Sequence, residues 1–212
     1  MKKIIFTMAA LCVAGATFAQ ATFGVKVGPS FSSVATKSDG HKETSKMLVG
    51  VAGGVYANLP IAPEFYVQPS LMYEGKGGKE STDIGGTNID TKVRLNYLTL
   101  PIDLLFKPEM PNGSGSWIIG VGPYLGYGIS GKSSVSGVSG STDPFKGGSD
   151  DASLKRFDAG ANVQLGYEMA SGFNIGLNAE LGLINALNHG DSDNSFRNTS
   201  FGVTLGYTFG KY

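Results

Sequence analysis

Between Phe157 and Glu168 the chain alternates without a break. Phe157, Ala159, Ala161, Val163, Leu165 and Tyr167 are apolar, and Asp158, Gly160, Asn162, Gln164, Gly166 and Glu168 between them are small or polar. A period of two predicts a β-strand with one apolar face and one polar face. A tilted strand of about 9–11 residues crosses a bilayer core, and this one is long enough. Its apolar face starts and ends on a ring, Phe157 and Tyr167, where membrane strands carry their aromatic girdles.

The pattern recurs along the chain. Phe23, Val25 and Val27 alternate with Gly24, Lys26 and Gly28, and Phe31 extends this strand past Pro29. Met47, Val49, Val51, Val55, Ala57 and Leu59 oppose the small Gly50, Ala52 and Gly54. Phe65, Val67, Pro69, Leu71 and Tyr73 oppose Tyr66, Gln68, Ser70 and Glu74. In the fourth strand Val93 and Leu95 have one parity, whereas Leu98, Leu100, Ile102, Leu104 and Phe106 have the other. One extra residue flips parity, so a β-bulge near Asn96–Tyr97 is expected, with Arg94 then on the polar face.

Trp117, Ile119, Val121, Pro123, Leu125, Tyr127 and Ile129 form the fifth apolar face, and the strand first described is the sixth. Ala170-Ser171-Gly172 reads as a tight turn. Phe173, Ile175, Leu177, Ala179, Leu181 and Leu183 follow, and Phe201, Val203, Leu205, Tyr207 and Phe209 finish the chain.

Eight strands result, and their connections alternate long and short. The polar stretches 32–46, 75–90, 131–154 and 188–198 are long, and the other three connections are brief. Transmembrane barrels sort their loops this way, with short periplasmic turns and longer external loops. The aromatics support the same reading. Phe23, Phe65, Trp117 and Phe173 start the four strands that run outward, and Phe106, Tyr167 and Phe209 end three of the four that return. These seven rings are expected to form a periplasmic belt, and Tyr73, Tyr127, Phe157 and Phe201 an outer one. The predicted fold is all-β, an eight-stranded antiparallel up-and-down transmembrane β-barrel.

Composition agrees. Only 16% of the 212 residues are charged and 32 are glycine, about twice the usual share. Residues 1–21 read as a secretory signal peptide, with Lys2 and Lys3 before an apolar run and a small-residue cleavage site near Ala19 and Ala21. Residues 22–212 are then the barrel domain. Removing Lys2 and Lys3 from the 17 basic residues leaves 15 against 17 acidic ones, a net of −2, which gives no reason to expect nucleic acid. Cys12, the only cysteine, lies in the leader and reads as filler of its apolar run. The mature chain then has no disulfide or thiol chemistry.

Four stretches carry a family likeness: FGVKVGPSFSS at the start, VRLNYLTLPIDLLFKP in the centre, WIIGVGPYLGYGISGK, and the closing FGVTLGYTFG. The chain resembles the PorT-like outer-membrane β-barrel proteins, over nearly all of the mature sequence. That resemblance implies an eight-stranded barrel in a Gram-negative outer membrane. Tyr207-Thr208-Phe209 resembles the aromatic C-terminal signal read by the outer-membrane assembly machinery, with Gly210-Lys211-Tyr212 extending past it.

Candidate chemistry is sparse. His41 and His189 are the only histidines, and both fall in predicted external loops. His189-Gly190-Asp191-Ser192 supplies the residue types of a hydrolase, but a triad is a geometry that adjacent loop residues rarely hold. Asp191-Ser192-Asp193-Asn194 resembles the start of a calcium loop, yet the twelfth position, where a glutamate belongs, is Gly202. The glycine pairs at 120–122 and 126–128 lie inside strand alternation rather than before a helix, so they are spacers and not a nucleotide fingerprint. Neither a catalytic residue, a cofactor nor a metal is expected.

The charged residues of the polar face say more: Lys26, Glu74, Arg94, Asp103, Asp158, Glu168 and Glu180. An eight-stranded bore is just wide enough for side chains to fill. These groups are expected to pair into a polar plug, with Lys26 and Arg94 each finding an acidic partner. The expected protein is a monomer with a structural or binding role through its external loops, its ligand unnamed. Its expected partners are outer-membrane lipid and, through the last strand, the assembly machinery. Two alternatives are a secreted lipocalin-like carrier, which should be apolar inside, and an outer-membrane lipid-modifying enzyme, which rests on the loop histidines.

Overall fold

Where apolar and small polar residues alternate, the chain forms long antiparallel strands. A computed structural model describes residues 21–38, 41–84, 87–136, 140–146, 154–187 and 195–210. The strands are β1 (Thr22–Ser38), β2 (His41–Thr44), β3 (Lys46–Ala62), β4 (Phe65–Ile84), β5 (Thr87–Phe106), β6 (Gly115–Val135), β7 (Phe157–Met169), β8 (Phe173–Gly182) and β9 (Ser195–Phe209). Each of the eight long strands pairs with its neighbour in sequence, and β9 returns to pair with β1. The ring closes, so the sheet has no open edge within the barrel. The short β2 stands outside the ring and pairs with β1 alone. The signal-peptide reading covers residues 1–21, of which 1–20 lie outside the described residues.

The two faces are reversed relative to a water-soluble protein. Val25, Val121, Val163, Leu177 and Leu205 are exposed on the outer face, whereas Lys26, Gln68, Asp103, Asn162, Glu168 and Glu180 are buried in the bore. A continuous apolar exterior on this scale has a stable home only in hydrocarbon.

Trp117 and Tyr127 mark the two ends of this exterior on β6, and Tyr167 and Phe157 mark them on β7. Ten residues separate each pair of rings. That is about 33 Å along a strand, or about 25 Å along the axis at a tilt near 40°, the height of a barrel's apolar band. At one end Phe65 packs on Phe106 at 5.0 Å and Trp117 on Tyr167 at 5.5 Å. Phe173 and Phe209 each pack on Tyr207 at 5.0 Å, and Phe23 is the ladder partner of Phe209. The turns on this end are short. The one after β7 needs its glycine, because Gly172 sits at φ 92° while its N–H bonds Met169 at 2.9 Å.

The other end departs from expectation. Much of what reads as long loop is sheet: β4 and β5 stay paired in one register from Phe65↔Phe106 to Ile84↔Thr87, so 75–84 and 87–90 are strand. β1 and β2 likewise turn most of 32–46 into strand. Above the lipid the outer face no longer meets hydrocarbon, so its apolar periodicity disappears while the ladder continues in the register set below.

The expected bulge is present but lies in the neighbouring strand. Asn96 pairs with Ser130 and Tyr97 with Gly128, so the extra residue is Ile129 of β6. β5 therefore keeps one parity throughout. Leu95 and Tyr97 point into the bore and Arg94 stands exposed outside, so it is not a member of the interior set.

Candidate functional site

In the bore, chemistry-bearing side chains gather in tiers set by inward parity. At the short-turn end Lys107 Nζ donates to both oxygens of Glu168 at 3.0 Å. Thr208 Oγ1 donates to the same carboxylate at 2.6 Å and shares a 2.8 Å hydrogen bond with the Tyr56 hydroxyl. Asn174 Nδ2 adds a bond to Tyr56 at 2.9 Å. Gly24 makes this tier possible, because any Cβ there would collide with the Tyr56 ring.

The middle tier is an amide chain ending on a carboxylate. Gln68 donates to Asn58 at 2.7 Å, and Gln164 Nε2 reaches Gln68 at 3.0 Å and Asp103 Oδ2 at 2.9 Å. Asn162 donates to the same Asp103 oxygen at 2.8 Å. Gly120 leaves the Gln164 stem its path across the bore: a Cβ there would lie 2.6 Å from Gln164 Cγ. Lys26 is buried beside this tier, its ammonium 5.7 Å from the Tyr56 ring. It makes no ion pair among the described residues and feels Asp103, Glu74 and Glu180 only across the bore. The expected acidic contact is therefore not made. A void of about 20 Å³ beside Lys26 has room for about one water.

The upper tier is built on Lys76. Its ammonium lies 2.6 Å from Glu180 and 3.5 Å from both Glu74 and Asp158. The Tyr124 and Tyr97 rings stand 4.5 Å and 5.4 Å from the same nitrogen. Tyr124 donates its hydroxyl proton to Asp158 at 3.2 Å, and Asn198 reaches the same carboxylate oxygen at 3.4 Å. A buried cation among three carboxylates and two ring faces is compensated on every side.

Above Lys76 the bore becomes apolar. Leu95, Tyr97 and Leu154 are buried together, with Val93, Phe145, Leu187 and Phe196 against them. Phe145 meets Tyr97 edge-on at 5.9 Å, and the Arg156 guanidinium lies 5.1 Å from the Phe145 ring. Arg156 is anchored through an N–H to the Gly128 carbonyl at 2.8 Å. Segment 140–146 thus folds inward over the long-loop end, tied by the Ser133–Thr142 bridge.

A closed ring with an apolar exterior and a salt-bridged interior is the form of a membrane barrel, and sequence comparison gives the same result. The model of the outer membrane protein beta-barrel domain matches residues 18–188. The chain belongs to that family. It is an integral outer-membrane β-barrel, and its own inside-out arrangement runs against the carrier alternative, which needs an apolar cavity.

Several solved structures are similar to this outer-membrane barrel. Ail, the attachment invasion locus protein of Yersinia pestis, is 15% identical over 89% of this chain and 99% of its own, with a TM-score of 0.45. Neisserial surface protein A is 11% identical over 91% and 99%, at 0.47. OprG of Pseudomonas aeruginosa is 13% identical over 89% and 96%, at 0.45. No curated protein matches the chain.

Of the seven charged residues assigned to the barrel's bore, Lys26, Asp103, Asp158, Glu168 and Glu180 are buried there, Glu74 is 12% exposed beside Lys76, and Arg94 is outside. Two cations of the bore escape sequence reading, Lys76 and Lys107. Both simply continue an inward parity: Gln68, Ser70, Glu74, Lys76 on β4, and Thr99, Pro101, Asp103, Leu105, Lys107 from β5. His189, Asp191 and Ser192 lie outside the described residues.

Proposed function

We propose that this chain is a sealed, monomeric outer-membrane barrel of PorT-like type, with a structural or binding role exercised through the loops at its Phe145-capped end. Residues 1–21 act as the signal that exports it and are then removed. The long-loop end faces the exterior, the Phe23, Phe65, Phe106, Trp117, Tyr167, Phe173 and Phe209 rings form the periplasmic belt, and the last strand is the segment read by the assembly machinery. Catalysis is not part of this reading.

The observation that carries it is the filled bore. Lys107–Glu168 at one end and Lys76 with Glu74, Asp158 and Glu180 higher up are ion pairs that span the interior. The apolar cluster on Leu95 and Tyr97 then covers them. Moving a hydrated ion along this path requires breaking buried pairs, which is costly when one partner is left alone. Reconstituted in a planar bilayer, the purified barrel is expected to give no steady ohmic openings. Regular openings that scale with salt concentration would replace this reading with that of a pore.

A further inference from the structure

The outer face just above the apolar band carries cations side by side. On the β4–β5 ladder Lys79 stands opposite Lys92, and on the β5–β6 ladder Arg94 stands opposite Lys132. The β4–β5 register never shifts, so Lys92 and Arg94 share the outer face with the exposed Leu98, Leu100 and Ile102. Residues paired across an antiparallel ladder point to one side, which puts Lys79 and Lys132 there too. Asp90 neutralises Lys79 at 2.9 Å. Among the described residues, Lys92, Arg94 and Lys132 make no ion pair.

Like charges directly opposite one another destabilise a ladder. Here they sit on adjacent strands about 4.8 Å apart, with Asp90 already taken by Lys79 and no other described carboxylate paired with Lys92, Arg94 or Lys132 to balance them. Their depth suggests what does. Tyr73, Leu98 and Tyr127 are ladder partners in one row, the top aromatic row of the apolar band. Asn96 and Ser130 follow, joined by a 2.9 Å hydrogen bond, and then Arg94 and Lys132. Four residues along β5 amount to about 13 Å of strand, or about 10 Å along the axis. Aromatic rows mark the membrane–water interface, so the cations stand at the level of lipid head groups and just beyond.

We infer that Lys92, Arg94 and Lys132 dock the phosphate groups of a multiply phosphorylated membrane lipid in the leaflet at the long-loop end. The guanidinium of Arg94 offers a planar fork suited to a phosphate, and the two ammonium groups beside it supply point charge. Leu98, Leu100 and Tyr127, directly below and exposed, give the acyl chains of the same molecule a surface. A single free anion would use the cations and leave that surface unused. The inference rests on the barrel's place in the membrane and not on any role of the loops.

The test is lipid binding to the detergent-folded full-length barrel, followed by native mass spectrometry. The probes are a diphosphorylated disaccharide lipid, the same lipid without its phosphates, and inorganic phosphate. The diphosphorylated lipid is expected to bind about a hundredfold more tightly than its dephosphorylated form, in line with the contribution of each Lys or Arg beside an anionic membrane surface. Lys92→Gln, Arg94→Gln and Lys132→Gln together should abolish that preference, and added salt should weaken it. If the triple variant fails to fold, the single variants Lys92→Gln and Lys132→Gln should each reduce the preference several-fold. Equal binding of the two lipids, or a variant that keeps the preference, overturns the assignment. Inorganic phosphate binding as tightly as the lipid overturns the lipid as its source. A chain that never shows the heat-sensitive gel mobility of a folded barrel would instead contradict the membrane placement on which the inference stands.

Discussion

Replacing Lys76 with Met is expected to cost about 3–5 kcal/mol of folding stability, the scale seen when one partner of a buried ion pair is removed. The side chain is 1% exposed and, among the described residues, is the cation paired with Glu180, Glu74 and Asp158. Methionine keeps most of the volume beneath the Tyr97 and Tyr124 rings, so the loss isolates the charge. Urea unfolding of the barrel in lipid vesicles reads the effect directly. Adding Glu180→Gln to the variant should recover a large part of the cost, since the carboxylate held at 2.6 Å is then neutral. A single variant within about 1 kcal/mol of wild type would mean that Lys76 is not the centre of the interior charge balance.

Arginine in place of Val163 probes the opposite face. Val163 is exposed on the exterior, paired with Val121 on one side and Ala179 on the other. It lies between the Phe157 and Tyr167 rings, close to the middle of the apolar band. A charge there should cost about 2–4 kcal/mol, falling to about 0–1 near an interface. Ser33→Arg, on the same outer face two residues beyond Phe31 and opposite Thr199, is the matched control and should be nearly neutral. Equal costs at the two depths, in the same vesicle assay, would count against hydrocarbon as the surroundings of this face.

The barrel was legible in the sequence wherever one face of a strand is lipid-exposed. There the alternation is strict, as on Phe157–Tyr167, and the parity that puts Val163 outside puts Asp158, Glu168 and Glu180 inside. Legibility failed where that contrast ends. Lys76 follows Gly75 in a stretch that is polar on both faces, so its inward parity was masked, although counting on from Glu74 would have found it. Lys107 was hidden for a similar reason, as the residue beside the proline that opens a turn.

Arg94 was misplaced because Val93 and Leu95 looked like lipid-facing residues. They are apolar for another purpose: Leu95 is buried under the cap, with Val93 packed against it. The cap itself left no periodic signal. Phe145 is an isolated ring in a Ser/Gly-rich stretch, and only the fold brings it to Tyr97. Lys26 is the remaining departure, because the Tyr56 ring and carboxylates across the bore face it where a direct acidic contact was expected.

Single-cysteine labelling on intact cells tests the whole account most directly. Cys12 is the only cysteine in the sequence, and with the proposed signal peptide removed the chain gives no background. Ser81→Cys lies in the β4 extension and Ser114→Cys in the turn before β6. Ser139→Cys and Ser192→Cys complete the set, in the connections that follow β6 and precede β9. With an impermeant thiol reagent, Ser81→Cys, Ser139→Cys and Ser192→Cys are expected to label on intact cells, and Ser114→Cys only after the outer membrane is opened. Labelling of Ser114→Cys alone on intact cells would contradict the account, because it would turn the barrel over and put the Phe145-capped end in the periplasm.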